Sequence, residues 1–199
     1  MKKISIVVPC YNEQEVLPLF YIEIQKVMQQ IQEEHPDTGF ELLFINDGSR
    51  DGTLAKLREL ARGDERVRYI SFSRNFGKES GMYAGLENAT GDYVVIMDAD
   101  LQHPPAFLPK MYNIVLSGEY DCATTRRVSR KGEPKLLSWF SRKFYKIMKR
   151  ISQTEIVDGA QDFRFMTRQM VDAILSMKEY NRFSKGIFSW VATFVSPDG

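Results

Sequence analysis

Asp98 and Asp100 stand two positions apart at the end of an apolar run, Tyr93 to Met97. Where an extended chain breaks into a turn, that spacing lets both carboxylates reach one point, and Gln102 adds a neutral oxygen two residues on. Such donors suit a hard divalent cation, Mg2+ or Mn2+, which keeps positions open for waters and phosphate oxygens. Two solvated turn acids ahead of Pro104-Pro105 would leave the same trace, so the pair gains weight only from its setting. Zinc chemistry of the Cys/His kind is excluded, because Cys10 and Cys122 with His35 and His103 are too few to build it. Two cysteines also make no disulfide framework, and a reducing compartment fits best.

Three other polar clusters follow apolar runs: Pro9-Cys10-Tyr11-Asn12-Glu13, Asn46-Asp47-Gly48-Ser49 with Asp51-Gly52, and Ser73-Arg74-Asn75-Phe76-Gly77-Lys78. The second could be a tight turn and helix cap, the usual work of Asn, Asp, Gly and Ser; Asp47 could equally accept hydrogen bonds from a nucleobase or ribose. Gly77, Gly81 and Gly85 do not form the dinucleotide pattern G-x-G-x-x-G. Gly77-Lys78-Glu79-Ser80 lacks the upstream glycine of a P-loop.

The elements that must position these clusters follow from hydrophobic periodicity. Strands are expected at Ile4 to Val8, Glu41 to Ile45, Val67 to Phe72, Tyr93 to Met97, Asp121 to Thr125 and Asp162 to Met166. Helices are expected at Glu13 to Gln32, Thr53 to Ala61, Gly77 to Asn88, Phe107 to Leu116 and Arg168 to Met177. Alternation of this kind builds βαβ units and one mostly parallel sheet flanked by helices, an α/β single domain. In such a sheet ligands gather outside the carboxyl ends of the strands, so all four polar clusters should line one edge.

Charge divides the chain. Its 199 residues hold 27 Lys+Arg and 26 Asp+Glu, a net +1. Residues 126–150 contain ten basic side chains and one acid, Glu133, or +9, while the other 174 residues hold 17 basic and 25 acidic, or −8. Within the basic segment, Leu136, Leu137, Phe140, Phe144, Ile147 and Met148 recur at helical spacing with lysines and arginines between them. A basic amphipathic helix over about 134–151 is expected, packed on the sheet or lying on an anionic membrane surface. Nucleic acid is a poorer partner, because the aromatics lie with the apolar stripe and not among the arginines. No stretch approaches the roughly 18 apolar residues that span a bilayer, and the amino terminus is no signal peptide.

Taken together, Ile4 to Glu13, Phe44 to Ser49 with Asp51-Gly52-Thr53, Ser73 to Gly77, Gly91-Asp92 and Asp98-Ala99-Asp100-Leu101-Gln102-His103-Pro104-Pro105 resemble the family 2 inverting glycosyltransferases, whose fold is called GT-A. Arg74 to Lys78, Asp98 to Pro105 and Asp162-Phe163-Arg164 are similar to the branch that moves a sugar onto a polyprenyl phosphate, including dolichol-phosphate mannosyltransferases and bactoprenol glucosyltransferases. The resemblance implies that Pro9, Tyr11, Glu13 and Asp47 hold the nucleoside of a nucleotide sugar, UDP-sugar favoured, with Gly77 and Lys78 near the nucleotide. Asp98 would sit by the ribose or sugar, and Asp100 with Gln102 would bind Mg2+ or Mn2+ on the diphosphate. Arg126, Arg127, Arg130 and Lys131 occupy the loop where the branch binds the acceptor phosphate.

The acceptor stays open between an ionised lipid phosphate, which needs only positioning, and a glycan hydroxyl, which needs a base. Asp162 is the candidate base and Asp158 the reserve, although Asp162 could instead pair with Arg164 or Arg168. Residues 1–102 would form the nucleotide-sugar half and 103–199 the acceptor half. Branch members usually continue into transmembrane helices, so the expectation is a catalytic-domain fragment working at the cytoplasmic membrane face. A noncatalytic nucleotide-sugar scaffold is the rival of another class.

Overall fold

The computed structural model describes residues 1–126 and 160–176. Six strands form one sheet: β1 (Lys2–Cys10), β2 (Thr38–Asn46), β3 (Val67–Ser71), β4 (Tyr93–Ile96), β5 (Cys122–Arg126) and β6 (Ala160–Thr167). Their order is β3-β2-β1-β4-β6-β5. The first four run parallel, in the registers Ser5 with Glu41, Leu42 with Val67 and Ser5 with Val94. β6 is antiparallel to both β4 and β5. The expected sheet is therefore present with one reversed strand. β6 brings its amino-terminal end to the edge where β1 to β4 finish.

Side-chain alternation sorts the sheet into two buried faces. Ile4, Ile6 and Val8 of β1, Leu42 and Phe44 of β2, Val95 of β4 and Phe165 of β6 pack under α1 (Leu17–Glu34), α2 (Thr53–Gly63) and α4 (Leu108–Leu116). Val7, Leu43, Ile45, Val94, Ile96 and Met166 face α3 (Lys78–Asn88) and α5 (Arg168–Ser176). Burial on both faces explains why these strands read as unbroken apolar runs. Cys10 and Cys122 are buried and free.

Two helix starts show how loops override periodicity. α1 begins at Leu17, four residues after the expected Glu13, behind a turn in which Glu13 O accepts the Val16 and Leu17 N–H groups while the Glu13 and Gln14 N–H groups donate to Thr53 Oγ1 (2.8 Å) and Asp51 Oδ2 (3.2 Å). Pro18 then suits a first turn. α4 begins at Leu108 behind a single 3-10 turn, Pro105–Phe107. α3 lies close against the sheet at Gly85, where a Cβ would stand 2.1 Å from Val7 Cγ1.

Near the amino edge of the sheet, Glu41 is buried between β1 and α3. Its Oε2 accepts from Ser5 Oγ (2.5 Å), Thr90 N (3.0 Å) and Thr90 Oγ1 (3.1 Å), and its Oε1 accepts from the Arg68 guanidinium. Gly91 N–H in turn donates to Ser5 Oγ at 2.8 Å, and Lys3 N–H to Asp92 Oδ2 at 2.8 Å, which is the work of the Gly91-Asp92 pair. The expected amphipathic helix over 134–151 lies outside the described residues. Among the described residues no helix is long and apolar enough to cross a membrane.

Candidate functional site

The chain crosses from one side of β1 to the other between β3 and β4, so the sheet has its switch point at the carboxyl end of β1. All four polar clusters meet along that edge. The loops after β1 and β2 are laced together. Ser49 Oγ accepts from Asn12 N–H (3.0 Å), Asn12 Oδ1 from Arg50 N–H (2.9 Å) and Gln14 Oε1 from Gly52 N–H (2.6 Å). Asn12 takes a left-handed φ of 58°, a conformation Asn tolerates better than most residues. Pro9 is half-buried at the end of β1, while Tyr11 is exposed on the loop rim.

Asp47 has a structural duty that its sequence setting does not reveal. It is buried, and its two oxygens accept the backbone N–H groups of Phe76 (2.7 Å) and Gly77 (2.9 Å). Beside it Gly48, at φ 64°, lets the loop after β3 come so close that a Cβ would stand 2.3 Å from the Arg74 carbonyl carbon. The loop is thereby pinned from below just before Lys78 opens α3. On its outer side Arg74 lies over the Phe76 ring, 4.8 Å from the centroid.

Lys78 projects into the centre of the edge. Its Nζ donates to Asp98 Oδ2 at 2.8 Å and to Asp162 Oδ2 at 2.9 Å. Asp162 thus meets a residue 84 positions away, while Arg168 reaches the carbonyl oxygens of Ala89 and Gly91. Burial, the largest influence on Lys78, acts to lower its pKa, yet the hydrogen bonds to Asp98 and Asp162 carry it above the ordinary value.

Asp98, Asp100 and His103 each aim a ligand atom into one small volume, with these atoms all within 4.8 Å of one another. The chain doubles back at Leu101 (φ 57°), which returns His103 toward the two acids. His103 Nδ1 is buried without a hydrogen-bond partner among the described residues. Two carboxylates and an imidazole nitrogen suit Mg2+ poorly at the nitrogen and Mn2+ well, so the residues present fit a divalent cation. Gln102 is exposed, and its backbone N–H donates to Asp100 Oδ1 at 3.0 Å. His103 is the site residue that sequence reasoning missed. His103 stands in the Asp98–Pro105 motif, and the Asp-x-Asp-x-x-His spacing on one turn is the signal for it as a candidate ligand.

The edge is strongly electronegative. Burial raises the Glu13 pKa, and the charges of Asp100, Asp98 and Asp51 raise it further. The Cys10 thiol is pushed well above its usual range by burial first and then by Glu13 and Asp98. Among the described residues Lys78 answers one of these acids, Asp98, along with Asp162, and a divalent ion at Asp98 and Asp100 would relieve the rest. β5 ends at this edge with Arg126, opposite Ala160. Arg127, Arg130, Lys131 and Asp158 lie outside the described residues.

Chemically, this arrangement of acids, imidazole and ammonium suits a divalent ion together with an anionic group. The chain is 40% identical over 189 residues to a protein named prophage bactoprenol glucosyl transferase homolog from Escherichia coli, covering 95% of this chain and 60% of that protein. It is 43% identical over 188 residues to the putative glycosyltransferase CsbB of Bacillus subtilis, covering 94% and 55% respectively. The chain thus spans somewhat more than half the length of these relatives.

Among solved structures, the mannosyltransferase PcManGT of Pyrobaculum calidifontis in complex with GDP-Man and Mn2+ is similar at a TM-score of 0.59 and 20% identity, over 87% of this chain and 46% of that one. Staphylococcus aureus TarS in complex with UDP is similar at 0.60 and 16%, over 97% and 56%. These likenesses show the GT-A fold. Residues 5–175 match the family described as Glycosyl transferase family 2, and the chain belongs to that family.

Proposed function

We propose that this chain carries the catalytic unit of an inverting, metal-dependent glycosyltransferase that moves a hexose from a UDP-sugar to a polyprenyl phosphate at the cytoplasmic face of the membrane. The observation that carries the reading is the convergence of Asp98, Asp100 and His103 beside Lys78 at the switch point. The name bactoprenol glucosyl transferase, borne by a relative that is similar over nearly the whole of this chain, supports the polyprenyl acceptor. Residues 1–102 form the donor half and 103–199 the acceptor half, with His103 at their boundary completing the donor-side metal trio.

Asp98, Asp100 and His103 would hold Mg2+ or Mn2+, with Gln102 on the same turn. When bound, such an ion supplies charge neutralisation at the diphosphate as the sugar C1–O bond breaks. The protein's own residues bind and orient. Pro9 and Tyr11 line the end of β1 where the nucleoside would lie, with Glu13 behind them. Asp47 holds the Phe76–Gly77 backbone that presents Lys78. An ionised lipid phosphate needs no base, only cations to position it, and Arg126, Arg127, Arg130 and Lys131 supply them. The +9 segment that begins at Arg126 would add membrane attraction of about 1 kcal/mol per cation on an anionic leaflet.

The test is a donor screen with a short-chain polyprenyl phosphate, with and without EDTA. Transfer from a UDP-hexose should need the divalent ion, and Asp100→Ala should lower the rate by about 10²-fold or more, the scale of losing a principal electrostatic contact. Full activity of Asp100→Ala would overturn the metal assignment. The second reading, transfer to a glycan hydroxyl, rests on Asp162 at the acceptor end of the site. Transfer to a glycan that Asp162→Asn cuts by about 10²-fold would favour it, since a base contributes on that order.

A further inference from the structure

We propose that Lys78 is a placeholder cation, which occupies the metal-binding acids of the donor-free protein and makes tight metal binding conditional on a nucleoside diphosphate. The inference rests on the reading of Asp98, Asp100 and His103 as the metal site.

One side chain at the start of α3 bridges two carboxylates from different strands, Asp98 just after β4 and Asp162 near the start of β6. Asp98 belongs at once to that bridge and to the trio fit for a divalent ion. Its Oδ2 is spent on the ammonium at 2.8 Å. An ammonium and a divalent ion on the same carboxylate repel each other, so each weakens the other's hold. The Lys78 backbone cannot yield, because Asp47 fixes the two residues before it and Gly48 packs beneath that loop.

The side chain can yield. It is 42% exposed and runs along a flexible four-carbon stem to a compact charge, the kind of group that reaches phosphate oxygens as a point charge. A diphosphate arriving at this edge offers the ammonium a stronger anionic partner than two shared carboxylates. Once Lys78 turns to it, Asp98 is free for the ion and Asp162 for the acceptor end, where its Oδ1 is already buried without a partner among the described residues. Donor binding and preparation of the acceptor side are thereby coupled through one side chain.

The experiment is Mn2+ binding by the whole chain, followed through the loss of the free-ion paramagnetic resonance signal beyond that in protein-free solutions of the same Mn2+ and UDP content, with and without UDP, for wild type, Lys78→Met and Lys78→Gln. Wild type should bind Mn2+ weakly alone and more tightly with UDP. Both variants should bind Mn2+ alone about ten- to a hundredfold more tightly than wild type, the effect one neighbouring charge has on an ionic equilibrium, and UDP should add less. If wild type binds Mn2+ with UDP but neither variant gains affinity for Mn2+ alone, the placeholder role is wrong. If wild type binds no Mn2+ even with UDP, or if Asp100→Ala binds it equally well, the metal site itself is wrong. Two uncharged replacements of different polarity keep a folding defect in one from deciding the matter.

Discussion

Substituting Asp47 by Asn separates two accounts of this residue, a direct nucleobase contact and a clamp on the loop that presents Lys78. Asp47 is 4% exposed, and each carboxylate oxygen takes one backbone N–H, from Phe76 at 2.7 Å and from Gly77 at 2.9 Å. Asparagine keeps the shape but offers one acceptor and one donor, so one N–H is left facing an NH2 group. A hydrogen bond to a charged acceptor is worth about 1.5–3 kcal/mol, and an orphaned buried donor costs about 1–3 kcal/mol. A local loss of about 3 kcal/mol follows, or roughly 10² in the opening equilibrium of the loop at 1.4 kcal/mol per decade. Amide hydrogen exchange at Phe76 and Gly77 without nucleotide should accelerate by that factor, while amides in the centre of β1 keep their protection. Donor affinity should fall in parallel for every nucleotide sugar. Unchanged exchange with an altered preference among nucleobases would refute the clamp and restore the direct contact.

Glu41→Gln should lower thermal stability at pH 7 by about 2–3 kcal/mol, or roughly 5–10 °C, a figure held down because Arg68 can turn to water. Burial, the largest influence, raises the Glu41 pKa, but the hydrogen bonds from Ser5, Thr90 and Arg68 bring it below the ordinary 4.5. Its stabilisation is therefore present above that value and lost as pH falls through the lowered one, so melting curves of wild type and Glu41→Gln should converge in acid; a constant gap would refute the sign. Gly85→Ala should destabilise by about 1–3 kcal/mol in urea unfolding, because its Cβ would stand 2.1 Å from Val7 Cγ1. Adding Val7→Ala should recover part of that loss, and strict additivity of the two changes would show that the collision is not the cause.

Local chemistry was legible from the sequence, and chemistry between distant segments was not. Every strand and helix described lies within a few residues of its expected place, because apolar runs and 3.6-residue stripes are set by which face must be buried. The shared edge was legible too, since parallel strands bring their carboxyl ends together wherever they finish. The reversed direction of β6 was not, because residues 164–167 pair with β4 across more than sixty positions of chain. Its consequence is the placing of Asp162 against Lys78, a hydrogen-bond partner absent from the sequence expectations of Arg164 or Arg168.

Asp47 shows the same limit from the other side. Asn46-Asp47-Gly48-Ser49 suggested either a turn or a nucleotide contact, and the turn is present, with Ser49 N–H donating to Asn46 Oδ1 at 3.2 Å. The Asp47 carboxylate nevertheless serves a different loop, thirty residues on, and Gly48 is small because that loop needs the room. Motif residues are thus of two kinds here: Asp98, Asp100 and His103 converge within one turn, whereas Asp47 and Gly48 act by placing Lys78. Lys78 joins the kinds, since its backbone is set by the second and its ammonium is spent on the first. On the proposed reading, the affinity of the metal site would be governed from the loop after β3, and that loop is held by residues that need never touch the metal.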